Sequence, residues 1–423
     1  MVVGLAATAL VLMPVASAIG LNRGFWAPPM NLPLVPVAAA VLPNNKLLLF
    51  AASLPDPSTG PLGFADTAAM DLNTGVVTSR TIRTNHDQFC PATALLQDGT
   101  LLVNGGKSSF ETSLFNPFVN AGSTGARMTT KRSCNADTTM PDGSVFTLGG
   151  SWVGDETPKD GEIWTSATGW RPLPGIQASA IRTDDPAVYR QDNHGWFFSI
   201  GGSTVFHAGP SNQMNFFDTT GSGSSRPAGL RASDQDSMYG NAVMYDVNKI
   251  LTIGGATQQD TVPASKDAHI ITLRGFSQLP TVRKVASMTF RRAFATSVVL
   301  PDGDVIVFGG QEIPKIFTDD LAVLTPELWS IKTETWRPLG EHKFGRTYHS
   351  VALLLPDGRV FVGGGGLCNR NIYGCVPSTV FVRPSPVLGR TRPGMSLHTC
   401  LGGVLCWRMA ASEDRTLVLT SSN

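Results

Sequence analysis

One pattern recurs seven times along this chain of 423 residues and restricts what it can fold into. An apolar run is followed by a tight turn, a second apolar run and two small residues. It reads VLPNNKLLLFAA (41–52), LLQDGTLLVNGG (95–106), TMPDGSVFTLGG (139–150) and RQDNHGWFFSIGG (190–202). It continues as MYDVNKILTIGG (244–255), VLPDGDVIVFGG (299–310) and LLPDGRVFVGGG (354–365). Asp-Gly and Asn-Asn turns tolerate the positive φ that two-residue hairpins need. The flanking Val, Leu, Ile and Phe suit strands buried on both faces. A Gly-Gly pair ends such a strand and lets neighbouring backbone come close.

After several of these hairpins comes a third strand with an aromatic, as in GEIWTSATGWRPL (161–173) and PELWSIKTETWRPL (326–339). A period near 50 residues with Gly-Gly and a later Trp is the kelch pattern, one four-stranded blade per repeat. No Trp-Asp signature and no sialidase box compete with it. The expected fold is all-β, a seven-bladed kelch-type β-propeller over 30–385. With 33 basic against 32 acidic residues the net charge is +1, which lacks the basic footprint of a nucleic-acid binder. Only 15% of residues are charged and 42% are apolar, so the chain is expected to fold around a large core. Six cysteines in such a length are not a disulfide scaffold.

Residues 1–18, MVVGLAATALVLMPVASA, are apolar and end in an Ala-x-Ala cleavage pattern at Ala16 and Ala18. They read as a secretory signal peptide, which places the protein outside the cell. No run reaches the ~20 apolar residues needed to span a bilayer, so no membrane association is expected. Residues 386–423 show neither strand alternation nor a repeat, and read as a truncated or aberrant C-terminal tail.

A propeller places equivalent repeat positions in a ring about its axis, so polar residues that share one phase can meet. Counting back eight from the turn aspartates Asp98, Asp142 and Asp357 gives Cys90, Cys134 and His349. Tyr348 sits one place before His349, and Asp246 places Met238 at this phase with Tyr239 beside it. Thiolate, imidazole and phenolate all suit copper, so the constellation is a candidate metal site. Burial of Cys as a small hydrophobe and packing of the Tyr-His pair is the plain alternative. Cys90 and Cys134 could also pair as a disulfide if their Cα atoms lie within ~7 Å.

At these residues the sequence resembles the galactose oxidase and copper-radical oxidase family. The likeness runs through LPLVPVAAAVLPN (32–44), FCPATALLQDG (89–99), RSCNADTTMPDGSVFTLGGSW (132–152), NHGWFFSIGG (193–202), GNAVMYD (240–246), AHIITL (268–273), TSVVLPDG (296–303) and TYHSVALLLPDGRVFVGGGGLC (347–368). The resemblance implies one copper ion, with Tyr348 and His349 among its ligands. It implies oxidation of a primary alcohol or carbohydrate to an aldehyde, with O2 reduced to hydrogen peroxide, in a secreted monomer. Cys90 matches the cysteine that joins a tyrosine by a thioether, and Trp152 matches the indole stacked over it. Cys368 and Cys375 match a nearby cystine. His207 and Gln311 are loop candidates near the substrate.

Two departures stand against these matches. The tyrosine that carries the radical is replaced by Cys134, so the protein-derived Cys-Tyr cofactor is expected to be absent. The domain that supplies the last histidine ligand has no counterpart in 386–423, where His398 is the only histidine and Cys400 and Cys406 are without an assigned pairing. These departures set two other readings beside the oxidase. One is a non-catalytic secreted kelch propeller that binds carbohydrate or protein. The other is a different metal site built from Cys90, Cys134 and His349.

Overall fold

The computed structural model describes residues 25–51, 63–152, 157–231 and 235–365, with short strand segments at 380–383, 395–399, 405–409 and 416–417. The signal at 1–18 and Cys368, Cys375 and Cys400 lie outside the described residues. Apart from two short 3-10 turns, Ala178–Ile181 and Val188–Arg190, the regular structure of the described residues is all strand.

Six sheets each consist of four consecutive antiparallel strands, the blades of a β-propeller. The first blade runs from Ala38–Leu42 to Val77–Ile82. The second runs from Ala92–Leu95 to Ala121–Thr124, and the third from Ala136–Thr139 to Gly169–Leu173. The fourth spans Trp196–Ser199 to Ser224–Leu230, the fifth Asn241–Asp246 to Thr281–Lys284, and the sixth Ala293–Val299 to Trp336–Pro338. Second strands such as LLVN and VFTL are buried at every residue, as their unbroken apolar character predicts. Fourth strands such as TVRK are largely exposed and polar.

Seven like blades are the expectation from the repeat count, and the structure corrects it: six blades of that kind are present among the described residues. The last repeat forms a composite sheet. Ser350–Leu354, Val360–Gly364 and Val380–Arg383 are joined by Phe25–Trp26 from the far side of the sequence, through the pairs Phe25↔Arg383 and Trp26↔Val382. The sheets thus take in residues before the expected boundary at 30. A second correction concerns the fourth repeat. There Gly201-Gly202 is the hairpin turn between Trp196–Ser199 and Thr204–Gly209, not the end of the second strand. A third concerns the tail. Met395–Thr399, Leu405–Met409 and Thr416–Leu417 form a three-stranded antiparallel sheet, in which His398 pairs in register with Cys406. The alternation in MSLHT is only five residues long, too short to register as a strand signal on its own.

Apolar clusters fill the spaces between neighbouring sheets. Phe146, Leu148, Phe197, Val205 and Phe217 join the third blade to the fourth, and Leu251, Ile253, Val305, Val307 and Trp329 join the fifth to the sixth. The composite sheet packs on the sixth blade through Ala352, Val360 and Val362, and on the first through Val351 and Phe361. Each such large side chain contributes about 1.5–3 kcal/mol by leaving water.

The glycine pairs fix how one blade addresses the next. The second glycine donates its N–H to a carbonyl at the entry of the following sheet. These bonds are Gly106 to Arg132 (3.0 Å), Gly150 to Asp192 (3.2 Å), Gly255 to Arg292 (2.8 Å) and Gly310 to Arg346 (2.7 Å). The first glycine lies against the same carbonyl. At Gly309, with φ +62°, a Cβ would collide with the Arg346 carbonyl, so no other residue fits without displacement. Buried arginines lock the same entries. Arg132 donates to the Gly149 and Lys159 carbonyls and pairs with Glu162 at 2.9 Å. Arg292 donates to the Gly309 carbonyl and pairs with Glu327 at 2.9 Å.

Candidate metal centre

At the entry of each sheet from the second blade to the composite sheet stands a residue in the left-handed region. Cys90, Cys134, His194, Tyr239, Phe294 and His349 have φ of 56°, 59°, 54°, 59°, 58° and 64°. Such values are unfavourable for non-glycine residues and persist only where the surroundings impose them. Here the backbone is tied from blade to blade. The Cys134 N–H donates to the Cys90 carbonyl (3.0 Å), the His194 N–H to that of Cys134 (2.9 Å) and the Phe294 N–H to that of Tyr239 (2.7 Å). The repeat thus builds a ring of residues at one phase.

Cys90, Cys134, Tyr348 and His349 come together at this ring. Cys90 Sγ lies 3.1 Å from His349 Nε2 and 4.0 Å from Tyr348 Oη. The Tyr348 and His349 rings lie against each other with centroids 3.7 Å apart. Phe294 and Phe317 flank Tyr348 at 5.0 and 5.5 Å, and Phe89 meets His349 edge-on at 5.0 Å. Cys134 lies beside Cys90, its N–H bound to the Cys90 carbonyl. Both are free thiols, so the disulfide considered from the sequence is not formed. The three-residue site of Cys90, Cys134 and His349 is also not supported. Among the described residues no group of three or more His, Cys, Asp or Glu is arranged to hold a metal ion.

The electrostatics separate the two sulfurs. The hydrogen bond from Cys134, assisted by the nearby His349 imidazole, holds Cys90 well below the ordinary thiol range. The same bond, with burial, pushes Cys134 well above it. Burial first, and then the charge of the neighbouring sulfurs, raises the Tyr348 phenol. The two sulfurs are thus driven in opposite directions, Cys90 toward the thiolate and Cys134 toward the thiol. His349 Nδ1 is buried without a hydrogen-bond partner.

Trp152 stands apart from this contact set. Its ring meets Tyr189 edge-on at 5.3 Å, and the bridge between Ser133 and Ser151 places it beside the Cys134 segment. His207 is not a loop residue. It is fully buried on the second strand of the fourth blade between Phe197 and Phe217, and burial lowers its pKa to about 3. Gln311 is also fully buried. Its amide donates to the Thr318 and Asp320 carbonyls and so shapes the loop that presents Phe317.

The sequence reading missed His194, and it placed Tyr239 one residue out of phase. A register shift at Met244/Asp246 moves the fifth turn by one residue, so Tyr239, not Met238, is the ring residue. Counting back eight from Gly202, in the true turn of the fourth blade, gives His194, and counting back from Asp302 gives Phe294.

Known proteins resemble this chain in sequence and fold. A galactose oxidase of Gibberella zeae is 42% identical over 361 residues, covering 82% of this chain and 53% of that protein. An aldehyde oxidase of Vitis pseudoreticulata is 26% identical over 347 residues, covering 76% of this chain and 64% of that one. Among solved structures, a fungal alcohol oxidase of the AA5 family in complex with copper matches with a TM-score of 0.81 at 36% identity. That match covers 86% of this chain and 77% of the other. No protein-family model matches. The chain spans about half the length of the galactose oxidase it resembles. Taken with Tyr348, His349 and Cys90 meeting at one rim of the propeller, these matches show that the chain belongs to the galactose oxidase family of copper-radical oxidases.

Proposed function

We propose that this chain carries the propeller of a secreted copper oxidase that converts a primary alcohol or carbohydrate to the aldehyde while reducing O2 to hydrogen peroxide. The observation that carries the reading is the approach of Tyr348 Oη and His349 Nε2 to a single sulfur, Cys90 Sγ. Phenol, imidazole and thiol are donors that suit copper, so the residues fit the ion. When bound, copper supplies one-electron redox chemistry and a Lewis acid for the alcohol oxygen. Tyr348 Oη and His349 Nε2 would hold it. Burial raises the Tyr348 phenol, and Oη is the atom that would take up or release a proton. Phe89, Phe294 and Phe317 cover the rings and exclude water.

The residues do not fit the Cys-Tyr cofactor. Position 134 carries a thiol, which lacks the ring over which a phenoxyl delocalises, and no step is derived through it. Cys134 bears on the Cys-Tyr cofactor and not on binding, and the comparisons do not favour the alternative, a propeller that binds carbohydrate or protein without turnover. We further propose that residues 1–18 direct export, and that the composite sheet, packed between the sixth and first blades, serves as a seventh blade. The test is peroxide release by copper-loaded protein given a primary alcohol. The oxidase reading expects peroxide equal to aldehyde, abolished by Tyr348→Phe. Copper-independent carbohydrate binding with no peroxide would establish the alternative.

A further inference from the structure

We propose that Cys90 and Cys134 form a peroxide-reactive dithiol, which hydrogen peroxide oxidises to a disulfide tying the second blade to the third. The geometry is already close to the product. The Cys134 N–H donates to the Cys90 carbonyl at 3.0 Å, so the two cysteines are direct neighbours at the entries of adjoining blades. Residues joined in this way lie within the Cα separation a disulfide spans, about 4.4–6.8 Å. Their environments divide the labour. Cys90 is half-buried, so peroxide from solution can reach its sulfur. Cys134 is 2% exposed, so its sulfur meets Cys90 before it meets solvent.

The steps balance as follows. The Cys90 thiolate attacks one peroxide oxygen and the O–O bond breaks. The departing hydroxide takes a proton and leaves as water, and Cys90 becomes a sulfenic acid. The Cys134 sulfur then attacks the Cys90 sulfur. An S–S bond forms, the S–O bond breaks, and a second water leaves with the thiol proton. Two thiols lose two electrons in all, and one peroxide gains them. No copper takes part, so the inference stands whether or not the chain turns over an alcohol.

The experiment exposes the full chain to one equivalent of hydrogen peroxide, blocks remaining thiols with an alkylating agent, and maps the peptides by mass spectrometry. The expected product is a Cys90–Cys134 linked peptide lighter by two hydrogens, separated again by a dithiol reductant. In Cys90→Ser, loss of the Cys134 thiol should slow by at least about tenfold. In Cys134→Ser, Cys90 should instead gain oxygen. Separate alkylation of Cys90 and Cys134 after peroxide would overturn the proposal, as would oxygen accumulating on Cys90 of the wild-type chain. Because the wild-type map decides alone, a variant that fails to fold does not remove the test.

Discussion

Glu162→Gln isolates what the buried ion pairs contribute to the ring. Glu162 and Arg132 are both fully buried. One carboxylate oxygen accepts from the Thr129 N–H (2.7 Å) and hydroxyl (2.6 Å), and the other from Arg132 Nε (3.1 Å) and Nη2 (2.9 Å). Glutamine keeps the shape and the bonds to Thr129 but removes the charge. Arg132 still reaches the carbonyls of Gly149 and Lys159, so the loss is that of its counter-charge, together with an amide NH2 that now faces its Nε and Nη2 donors. An uncompensated buried charge costs about 3–5 kcal/mol, against a total stability of about 5–15 kcal/mol. Arg132 also supplies the carbonyl that binds the Gly106 N–H, two residues before Cys134, so the ring loosens at the same point. The assay is guanidinium unfolding at pH 7 of the wild type, Glu162→Gln, and the double variant Arg132→Met with Glu162→Leu. The double variant leaves no charge behind and should lose less than the single one. A single-variant cost below about 1 kcal/mol, or a double variant less stable than the single, would refute the reasoning.

Two further perturbations probe the same frame. Burial lowers the pKa values of His86 and His342 to about 4 and that of His207 to about 3, all below the unfolded value of about 6.5. Their contribution is complete above pH 6.5 and is lost as pH falls toward 4, about 3 kcal/mol from His86 alone. Asp137, which burial raises to about 7, and Asp304 and Asp319, raised by the same cause, act in the opposite sense, while the lowered Asp71, Asp218, Asp267 and Glu334 add to the three histidines. The melting temperature should therefore fall between pH 6.5 and 4.5, and a flat or rising profile would contradict this. Gly309→Ala should cost about 1–3 kcal/mol through its positive φ alone, and more through the collision with the Arg346 carbonyl. An unfolding midpoint unchanged by that substitution would show that the close approach is not required.

Much of this arrangement was legible in the sequence, for identifiable reasons. Asp-Gly turns between apolar runs located four hairpins, and a fixed count back from three of them located Cys90, Cys134 and His349. The count failed where the hairpin changed. The fourth turn is Gly201-Gly202, identical in letters to a strand end, so His194 was hidden. The fifth carries an extra residue, so Tyr239 fell one place off. The composite sheet was not legible because its closing strand, Phe25–Trp26, has two residues and pairs with Val382 and Arg383 at the other end of the sequence. His207 was misplaced because nothing local distinguishes a buried imidazole in a strand from one in a loop. Trp152 follows the bridge to the Cys134 segment, but its ring partner, Tyr189, belongs to the loop before the fourth blade, which carries no periodic signal.

The central claim is that Tyr348 and His349 hold copper at the ring of left-handed residues. Copper stoichiometry after loading and desalting tests it most directly, comparing the wild type with the double variant Tyr348→Phe, His349→Ala. The account predicts about one copper per wild-type chain and loss of at least about tenfold in affinity in the double variant. Equal copper content in the two proteins, with the fold intact by circular dichroism, would contradict it.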